Sequence, residues 1–318
     1  EVERLTAAYY DIRVWAVPAG LVNYVALGWF IGLRKVRAMF GLQLFMNGLN
    51  MVLDLAFVIG LGWGVEGVAW ASLIAEYAAA VLALALVLRA LGAVGGAWRW
   101  ERVLDRARLA RTLAVNRDIF LRTLCVVSAF AFFTAQGARM GDVVLAVNAV
   151  LLHFFTLMSF ALDGFAYAAE ALVGSAVGAR DRGALRRAVR VSTAWALALA
   201  LLFTALYAAA GSALVALITD LGEVRAAARA YLPWAVALPL VSVWSFQLDG
   251  IFIGATRGRE MRNAMLISLL VYLALALALM PPLGNHGLWL SLLLFMALRG
   301  LTLARHYPAL EREAARPA

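Results

Sequence analysis

The sequence has very few of the residues that build metal centres and disulfide frameworks. It contains one cysteine, Cys125, and three widely separated histidines, His153, His286 and His306. A single cysteine in an apolar segment supports no disulfide framework, and the histidines do not have the spacing of metal ligands. We therefore expect neither a cofactor nor a structural metal in this protein.

Catalytic and nucleotide-binding motifs are also missing. The sequence contains no GxxxxGK[ST] loop, no HExxH pair and no GxSxG turn. We predict that the protein is not an enzyme. Any work that it performs must then be driven by an ion gradient or by a separate protein.

Charged residues are scarce, at 15%, whereas 64% of the residues are hydrophobic and the mean hydropathy is +0.85. A soluble domain with this composition would expose too much apolar surface, so we predict an all-α polytopic protein of the lipid bilayer. Nine segments are long and apolar enough to span: 12–33, 38–61, 64–88, 118–138, 142–176, 191–212, 231–256, 263–281 and 286–304.

The net charge of +9 is distributed unevenly among the connectors. Most arginines follow the first, third, fifth, seventh and ninth segments, and Arg299 is counted with the last of these groups. By the positive-inside rule these ends are cytoplasmic, which places the N-terminus of the chain outside and its C-terminus inside. The charge is thus explained by topology, and we expect no nucleic-acid partner. Arg122, near the start of the fourth segment, is predicted to snorkel to the cytoplasmic interface.

An internal repeat relates the two ends of the chain. GWFIGLRKVRAM at 28–39 and GIFIGATRGREM at 250–261 share six of twelve residues, and GVEG at 64–67 matches GNHG at 284–287. The first three segments therefore correspond to the last three, as in transporters built from repeats. The middle three have no counterpart in this chain.

This pattern predicts a 3+6 remnant of a twelve-helix, two-lobe protein that is truncated at its N-terminal end. The predicted divisions are a partial N-lobe at 1–92, a basic cytoplasmic linker at 93–117, a six-helix C-lobe at 118–306 and a cytoplasmic tail at 307–318.

The second segment carries a polar stripe. Gln43, Asn47, Asn50 and Asp54 fall within about 60° of one another on a helix of 100° per residue. An Asp in hydrocarbon costs about 2.5–3.5 kcal/mol on insertion scales, so such a residue usually faces a bundle interior or a wet cavity. The stripe is either a hydrogen-bonded seam between helices or an ion or proton site, and the Asn50 and Asp54 pair favours the second interpretation.

Further acidic residues lie in the fifth and seventh segments. Asp163 and Glu170 are seven residues apart, about 20° from a common face, and Asp249 follows Ser245 by one helical turn. Each carboxylate could be paired at a helix interface. For Asp163 and Asp249 we favour a role in lining a substrate cavity, to which Glu170 and Ser245 also contribute.

The chain resembles the MATE (multidrug and toxic compound extrusion) family, in particular its DinF-like branch. The resemblance is carried by WAVPAGLVNYVALGWFIGLRKVR, the Asn50 and Asp54 pair, GWGVEGVAWAS, NRDIFLRT, LDGFAYAAEALVGSAVGARDR and LDGIFIGATRGREMRNAM. The family fold has twelve helices in two lobes, and the resemblance implies that this chain corresponds to all but the first three.

The resemblance implies an antiporter of a prokaryotic inner membrane that exports drugs, toxic organic compounds or metabolites by alternating access. The coupling ion would be a proton or sodium, held at Asp54 and Asn50 with Ser72 where relatives often carry Thr. We expect a monomer. The alternatives are a flippase for lipid-linked precursors and a truncated fragment that does not transport.

Overall fold

The computed structural model describes residues 2–33, 35–94 and 100–313. Within them, nine helices are long and apolar enough to cross a membrane. The prediction of an all-helical polytopic membrane protein is confirmed for this part of the chain.

The chain divides into two compact units, and the boundary between them lies between Arg102 and Val103. The first unit contains three of the membrane-length helices and the second contains six. Their interpretation as a partial and a complete lobe of one transporter stays a prediction. Residues 106–117 of the predicted linker lie in the first long helix of the second unit.

The first unit begins with a helix that is interrupted once. A short 3₁₀ turn at Val14–Ala16 follows its first part, and Pro18 lies in the first turn of its second part, where a missing N–H costs no helical hydrogen bond. The elements of this unit and of the link that follows it are α1 Val2–Arg13, α2 Val17–Gly32, α3 Val36–Asp54, a π-helical segment Leu55–Gly60, α4 Gly64–Val94 and α5 Trp100–Val103.

The second unit is a bundle of long helices. They are α6 Arg106–Arg139, α7 Asp142–Gly178, α8 Arg182–Ile218, α9 Gly222–Gly254, α10 Gly258–Leu283, α11 Asn285–Ala304 and the short α12 Tyr307–Glu313. Asp105 and Asp181 cap α6 and α8 by accepting hydrogen bonds from backbone N–H groups of the first turn. Gly141, with φ at 107°, turns the chain between α6 and α7 in a conformation that other residues rarely adopt.

Helices α7 and α9 approach each other closely because α9 carries Gly250 and Gly254 one turn apart. A Cβ at Gly250 would lie 2.3 Å from the carbonyl oxygen of Ala166, and one at Gly254 would lie 2.4 Å from that of Glu170. Small residues four apart allow backbones to touch in membrane helices. This contact places the acidic residues of α7 beside Asp249.

The core of the second unit includes a buried polar network between α7 and α11. Asn148 and Asn285 exchange two amide hydrogen bonds of 2.9 Å, and Trp289 Nε1 donates to Asn148 Oδ1 at 2.8 Å. The Trp289 ring also meets Phe133 edge to face, with centroids 4.9 Å apart. The network satisfies polar groups that burial would otherwise penalise.

Candidate functional site

The first unit brings together three of the residues predicted to bind the coupling ion. Asn50 and Asp54 lie one turn apart on the same face of α3, and Ser72 approaches them from α4. All three side chains are half-buried. The cluster therefore combines one carboxylate, one amide and one hydroxyl in an apolar helix pair.

The Asn50 amide lies between Asp54 and Ser72, where hydrogen bonding selects one of its two possible orientations. In one, its nitrogen donates to Asp54 Oδ2 at 3.3 Å while its oxygen accepts from Oγ and the backbone N of Ser72, at 3.2 and 3.3 Å. In the other, its nitrogen donates to Ser72 Oγ at 3.2 Å and its oxygen faces Asp54. Only the first orientation satisfies both ends of the amide while Asp54 is an ionised acceptor.

The carboxylate of Asp54 is not fully satisfied. Its Oδ1 is buried and has no hydrogen-bond partner in the described structure. An apolar recess of about 410 Å³ reaches Asp54 and is lined otherwise by Met51, Leu55, Val58, Ile59 and Val68. A buried carboxylate oxygen without a donor costs about 1–3 kcal/mol or more, so binding of a proton or cation there would relieve a real penalty.

The backbone changes from α to π geometry directly after Asp54. Residues Leu55–Gly60 form a π-helix, and the N–H of Leu61 donates to the carbonyl of Ala56 at 3.0 Å. Single π turns inside α-helices occur frequently at functional sites. Phe57, within this segment, stacks on Trp63, which follows it in the chain, and their ring centroids are 5.1 Å apart.

The other two residues of the predicted stripe do not join this cluster. Asn47 is exposed and Gln43 is half-buried, and the hydrogen bonds that link Asn50, Asp54 and Ser72 include neither of them. Their place in an ion site stays a prediction.

A second polar contact in the first unit was not predicted from the sequence. Arg13 Nη2 pairs with Glu76 Oε1 at 2.7 Å, and Asn23 Nδ2 donates to the Glu76 carbonyl at 3.0 Å. The sequence feature that could have indicated this contact is the isolated position of Glu76 in the long apolar run of α4.

The second unit contains a cavity of about 320 Å³ that brings the predicted acidic residues together. Its charged lining consists of Asp163 and Glu170 from α7, Asp249 from α9, Arg122 from α6 and Arg299 from α11. Phe130, Phe155 and Phe246 contribute aromatic surface. Four helices thus supply three carboxylates and two guanidinium groups to one space.

Asp249 is the centre of a buried ion-pair network. Arg299 Nη2 donates to Asp249 Oδ2 at 2.7 Å, and Arg122 Nη2 pairs with the same oxygen. The expectation that Arg122 snorkels to the interface is therefore wrong, because a carboxylate inside the bundle offers it a stronger partner than the headgroup region. Arg299, counted with the cytoplasmic charges, is also buried here.

The remaining predicted cavity residues differ in their surroundings. Asp163 and Glu170 are half-buried lining residues, and neither takes part in the ion pairs of the described residues. Ser245 is fully buried, its hydroxyl donates to the Ser242 carbonyl at 2.8 Å, and it is not among the lining residues that the structure describes.

Comparison with known proteins gives consistent matches. The MatE family model matches residues 119–278. DNA damage-inducible protein F of Escherichia coli is 45% identical over 296 residues, which cover 93% of this chain and 64% of that protein. Multidrug and toxin extrusion protein 1 of Homo sapiens is 29% identical over 221 residues, covering 68% of this chain and 36% of that protein. The chain thus spans less than two thirds of these relatives.

Solved structures show the same fold. The outward-facing conformation of a multidrug resistance MATE family transporter of the MOP superfamily superposes with a TM-score of 0.85 at 19% identity. The match covers 96% of this chain and 70% of that one.

Proposed function

The chain belongs to the MATE family of multidrug and toxic compound extrusion transporters, and on this basis we propose that it forms part of a cation-coupled antiporter. The antiporter exports small organic compounds, such as drugs, toxic compounds or metabolites, by alternating access. The coupling ion is a proton or sodium. The relatives that establish the family are transporters and not enzymes.

The observation that carries this proposal is the unpartnered Oδ1 of Asp54 beside Asn50 and Ser72. Carboxylate, amide and hydroxyl oxygens are hard ligands of the kind that alkali and alkaline-earth cations prefer. The same carboxylate can instead bind a proton, which removes its charge from the apolar recess. Either occupant stabilises the site, as coupling requires.

The Asn50 amide supplies a local response to occupancy. With Asp54 ionised and empty, the amide nitrogen faces the carboxylate. A proton on Asp54, or a cation between the two side chains, favours the reversed orientation, in which the amide oxygen faces Asp54 and the nitrogen donates to Ser72. The π-helical segment begins directly after Asp54. The reorientation of the amide therefore takes place beside a part of the backbone that departs from regular α-helical geometry. Ion binding drives transport only if it alters the relative stability of two conformations.

The protein is a multi-pass membrane protein, since nine described helices have the length and composition of spans. We place it in a prokaryotic inner membrane as a monomer, with the N-terminus of this chain outside and its C-terminus in the cytoplasm. The arginine-rich connectors support this orientation.

No observation favours a flippase for lipid-linked precursors. The cavity of about 320 Å³ in the second unit is at the lower limit for drug-sized ligands, and its lining carries three acidic residues beside its two arginines. A fragment that does not transport would have no use for a carboxylate whose Oδ1 has no hydrogen-bond partner among the described residues.

The substitution Asp54→Asn tests the proposal, because it preserves size and one acceptor oxygen but can no longer exchange a proton or neutralise a cation. We expect efflux driven by a proton or sodium gradient to be abolished in everted vesicles from cells that express the gene carrying this chain. Protein abundance in the membrane should stay near that of the unmodified protein.

The matched control is Asp11→Asn, which removes an exposed carboxylate of α1 in the same unit. This variant should retain gradient-driven efflux. Undiminished coupled efflux by the Asp54→Asn protein would reject the assignment of Asp54.

A further inference from the structure

The end of α8 that precedes its apolar span carries a dense group of arginines. Residues 180–190 read RDRGALRRAVR, with five arginines and a single acid, Asp181, which caps the helix. The side chains of Arg186, Arg187 and Arg190 are exposed. Within the described part of the chain, Arg187 and Arg190 belong to no ion pair. This end of α8 therefore holds positive charge that the protein neutralises only in part.

The arginine group lies at the depth of the lipid headgroups. Helix α8 has 37 residues and is about 55 Å long at 1.5 Å per residue. The hydrocarbon core of a bilayer is only about 30 Å thick, and the headgroup layers add about 10–15 Å in all. Since the predicted span begins at residue 191, Arg187 and Arg190 lie about one turn or less before the hydrocarbon and fall within a headgroup layer.

Apolar side chains continue this surface into the span. Val191 and Trp195 follow Arg187 at intervals of four residues, so the three side chains lie in one row along α8. Val191 is 56% or less covered, being 54% exposed, and Trp195 is 63% exposed. A phosphate held by the arginines would thus place an acyl chain along an apolar surface that α8 already presents.

An anionic oxygen already occupies part of the arginine group. Glu311 Oε1 of α12 accepts a hydrogen bond of 2.9 Å from Arg182 Nε, and Arg186 Nε pairs with the same oxygen. Glu311 is held there because Leu310, the residue before it, is buried with Leu185 in an apolar cluster. The side chains of Arg182 and Arg186 are still 45% and 52% exposed, so they keep donors for a second acceptor.

The chemical group that fits this surface is the phosphodiester of a lipid. Guanidinium groups bind phosphate oxygens through charge-assisted hydrogen bonds, and basic clusters beside membrane-spanning helices attract anionic lipids. A zwitterionic lipid carries the same phosphate beside a cationic amine, which the arginines repel. A soluble phosphate would meet the arginines but would leave Val191 and Trp195 without a partner.

We propose that this end of α8 binds an anionic phospholipid. The headgroup phosphate contacts Arg186, Arg187 and Arg190, and an acyl chain lies along the apolar row that follows. Glu311 competes with the phosphate for Arg186, so lipid binding loosens the contact between α12 and α8. The inference needs α8 to span a membrane, which its length and composition support, and it does not depend on the transported compound or on the coupling ion.

The test is native mass spectrometry of the purified chain released from a neutral detergent, which counts bound lipids at each lipid concentration. The probes are dioctanoyl phosphatidylglycerol, which is anionic, and dioctanoyl phosphatidylcholine, which is zwitterionic. We expect the anionic lipid to bind about fivefold tighter or more, the effect of a single surface arginine on an anionic lipid. Equal affinities, or no measurable binding of the anionic lipid, overturn the proposal.

A soluble competitor separates a lipid site from a site for free phosphate. Glycerophosphoglycerol has the headgroup of phosphatidylglycerol without its acyl chains, and at equal concentration it should not displace the lipid. Displacement would overturn the lipid assignment in favour of a soluble phosphodiester. Binding at equilibrium needs no gradient, so this inference and the antiport proposal fail separately.

Two variants with opposite expected effects locate the site. Arg190→Gln should weaken phosphatidylglycerol binding about fivefold, whereas Glu311→Gln should strengthen it, because it removes the competing charge. The matched control is Arg139→Gln, which changes an exposed arginine at the opposite end of α7 from the arginine group and should leave binding unchanged.

Equal losses in the two arginine variants overturn the location of the site, and unchanged or weaker binding by the Glu311→Gln protein overturns the competition. Melting temperatures measured in the same detergent ensure that folded proteins are compared. The preference of the unmodified chain between the two lipids decides the matter even if a variant fails to fold.

Discussion

Arg299 and Asp249 form an ion pair of 2.7 Å between α11 and α9, and their side chains are only 4% and 8% exposed. Arg122 adds a third helix, α6, at the same carboxylate oxygen. A buried pair of this kind adds little to stability by itself, because desolvation offsets the attraction, but removal of one member leaves an uncompensated buried charge. The network therefore fixes how three helices meet at the cavity.

Asp249→Asn should consequently destabilise the protein. It leaves two guanidinium groups without their counter-ion, and we expect a loss of about 3–5 kcal/mol, measured as a lower free energy of unfolding in detergent. Asp163→Asn is the matched control on the other side of the cavity. Because Asp163 belongs to no ion pair of the described residues, its substitution should change stability far less. Equal losses in the two variants would contradict the central role of Asp249.

Gly250→Ala should disrupt the contact between α7 and α9. The added Cβ would lie 2.3 Å from the Ala166 carbonyl oxygen, so the helices must separate, and overpacking of this kind costs about 1–3 kcal/mol. The corresponding glycine of the repeat, Gly28, has no atom within 4 Å of an added Cβ. Gly28→Ala should therefore be neutral or slightly stabilising, since Ala is the better helix former by up to about 1 kcal/mol. Thermal unfolding of the two variants measures the difference, and similar melting temperatures would be inconsistent with the close approach.

Asn148→Leu should destabilise the second unit at the contact between α7 and α11. It removes the partner of the Asn285 amide and of Trp289 Nε1, both of which are buried. Each group left unsatisfied costs about 1–3 kcal/mol. Denaturation followed by tryptophan fluorescence reports the loss. Asn263→Leu, at an exposed position of α10, should have little effect, and an equal effect would rule out the network as the cause.

Gly67→Ala should impair coupling through the π-helical segment. A Cβ there would lie 3.1 Å from Trp63 Cβ and 3.2 Å from Phe57 Cβ, so the stacked pair must move. The displacement is transmitted to the segment that adjoins Asp54, and we expect slower gradient-driven efflux at unchanged membrane abundance. Gly48→Ala on α3, with nothing within 4 Å of its Cβ, serves as the control. Unaltered efflux in the Gly67→Ala protein would separate the π segment from coupling.

The sequence by itself determined the class of protein and the local geometry of its polar residues. Nine apolar runs predicted nine membrane-length helices, which the described residues contain. The spacing of Asn50 and Asp54 was enough to put them on one face, because residues one turn apart on a helix always share a side. The acids of α7 and α9 were likewise recognisable, since a carboxylate in an apolar run is conspicuous.

Only the tertiary structure decided which partners these faces meet. By their positions in the sequence, Arg122 and Arg299 are predicted to lie on the cytoplasmic side. In the structure both pair with Asp249 inside the bundle, although they lie 127 and 50 positions from it in the chain. Gly28 and Gly250 occupy equivalent places in the repeat, but only Gly250 touches a neighbouring backbone. Helical periodicity specifies the direction of a side chain from its own axis. It carries no information about which other helix packs there, because that depends on contacts between residues far apart in sequence.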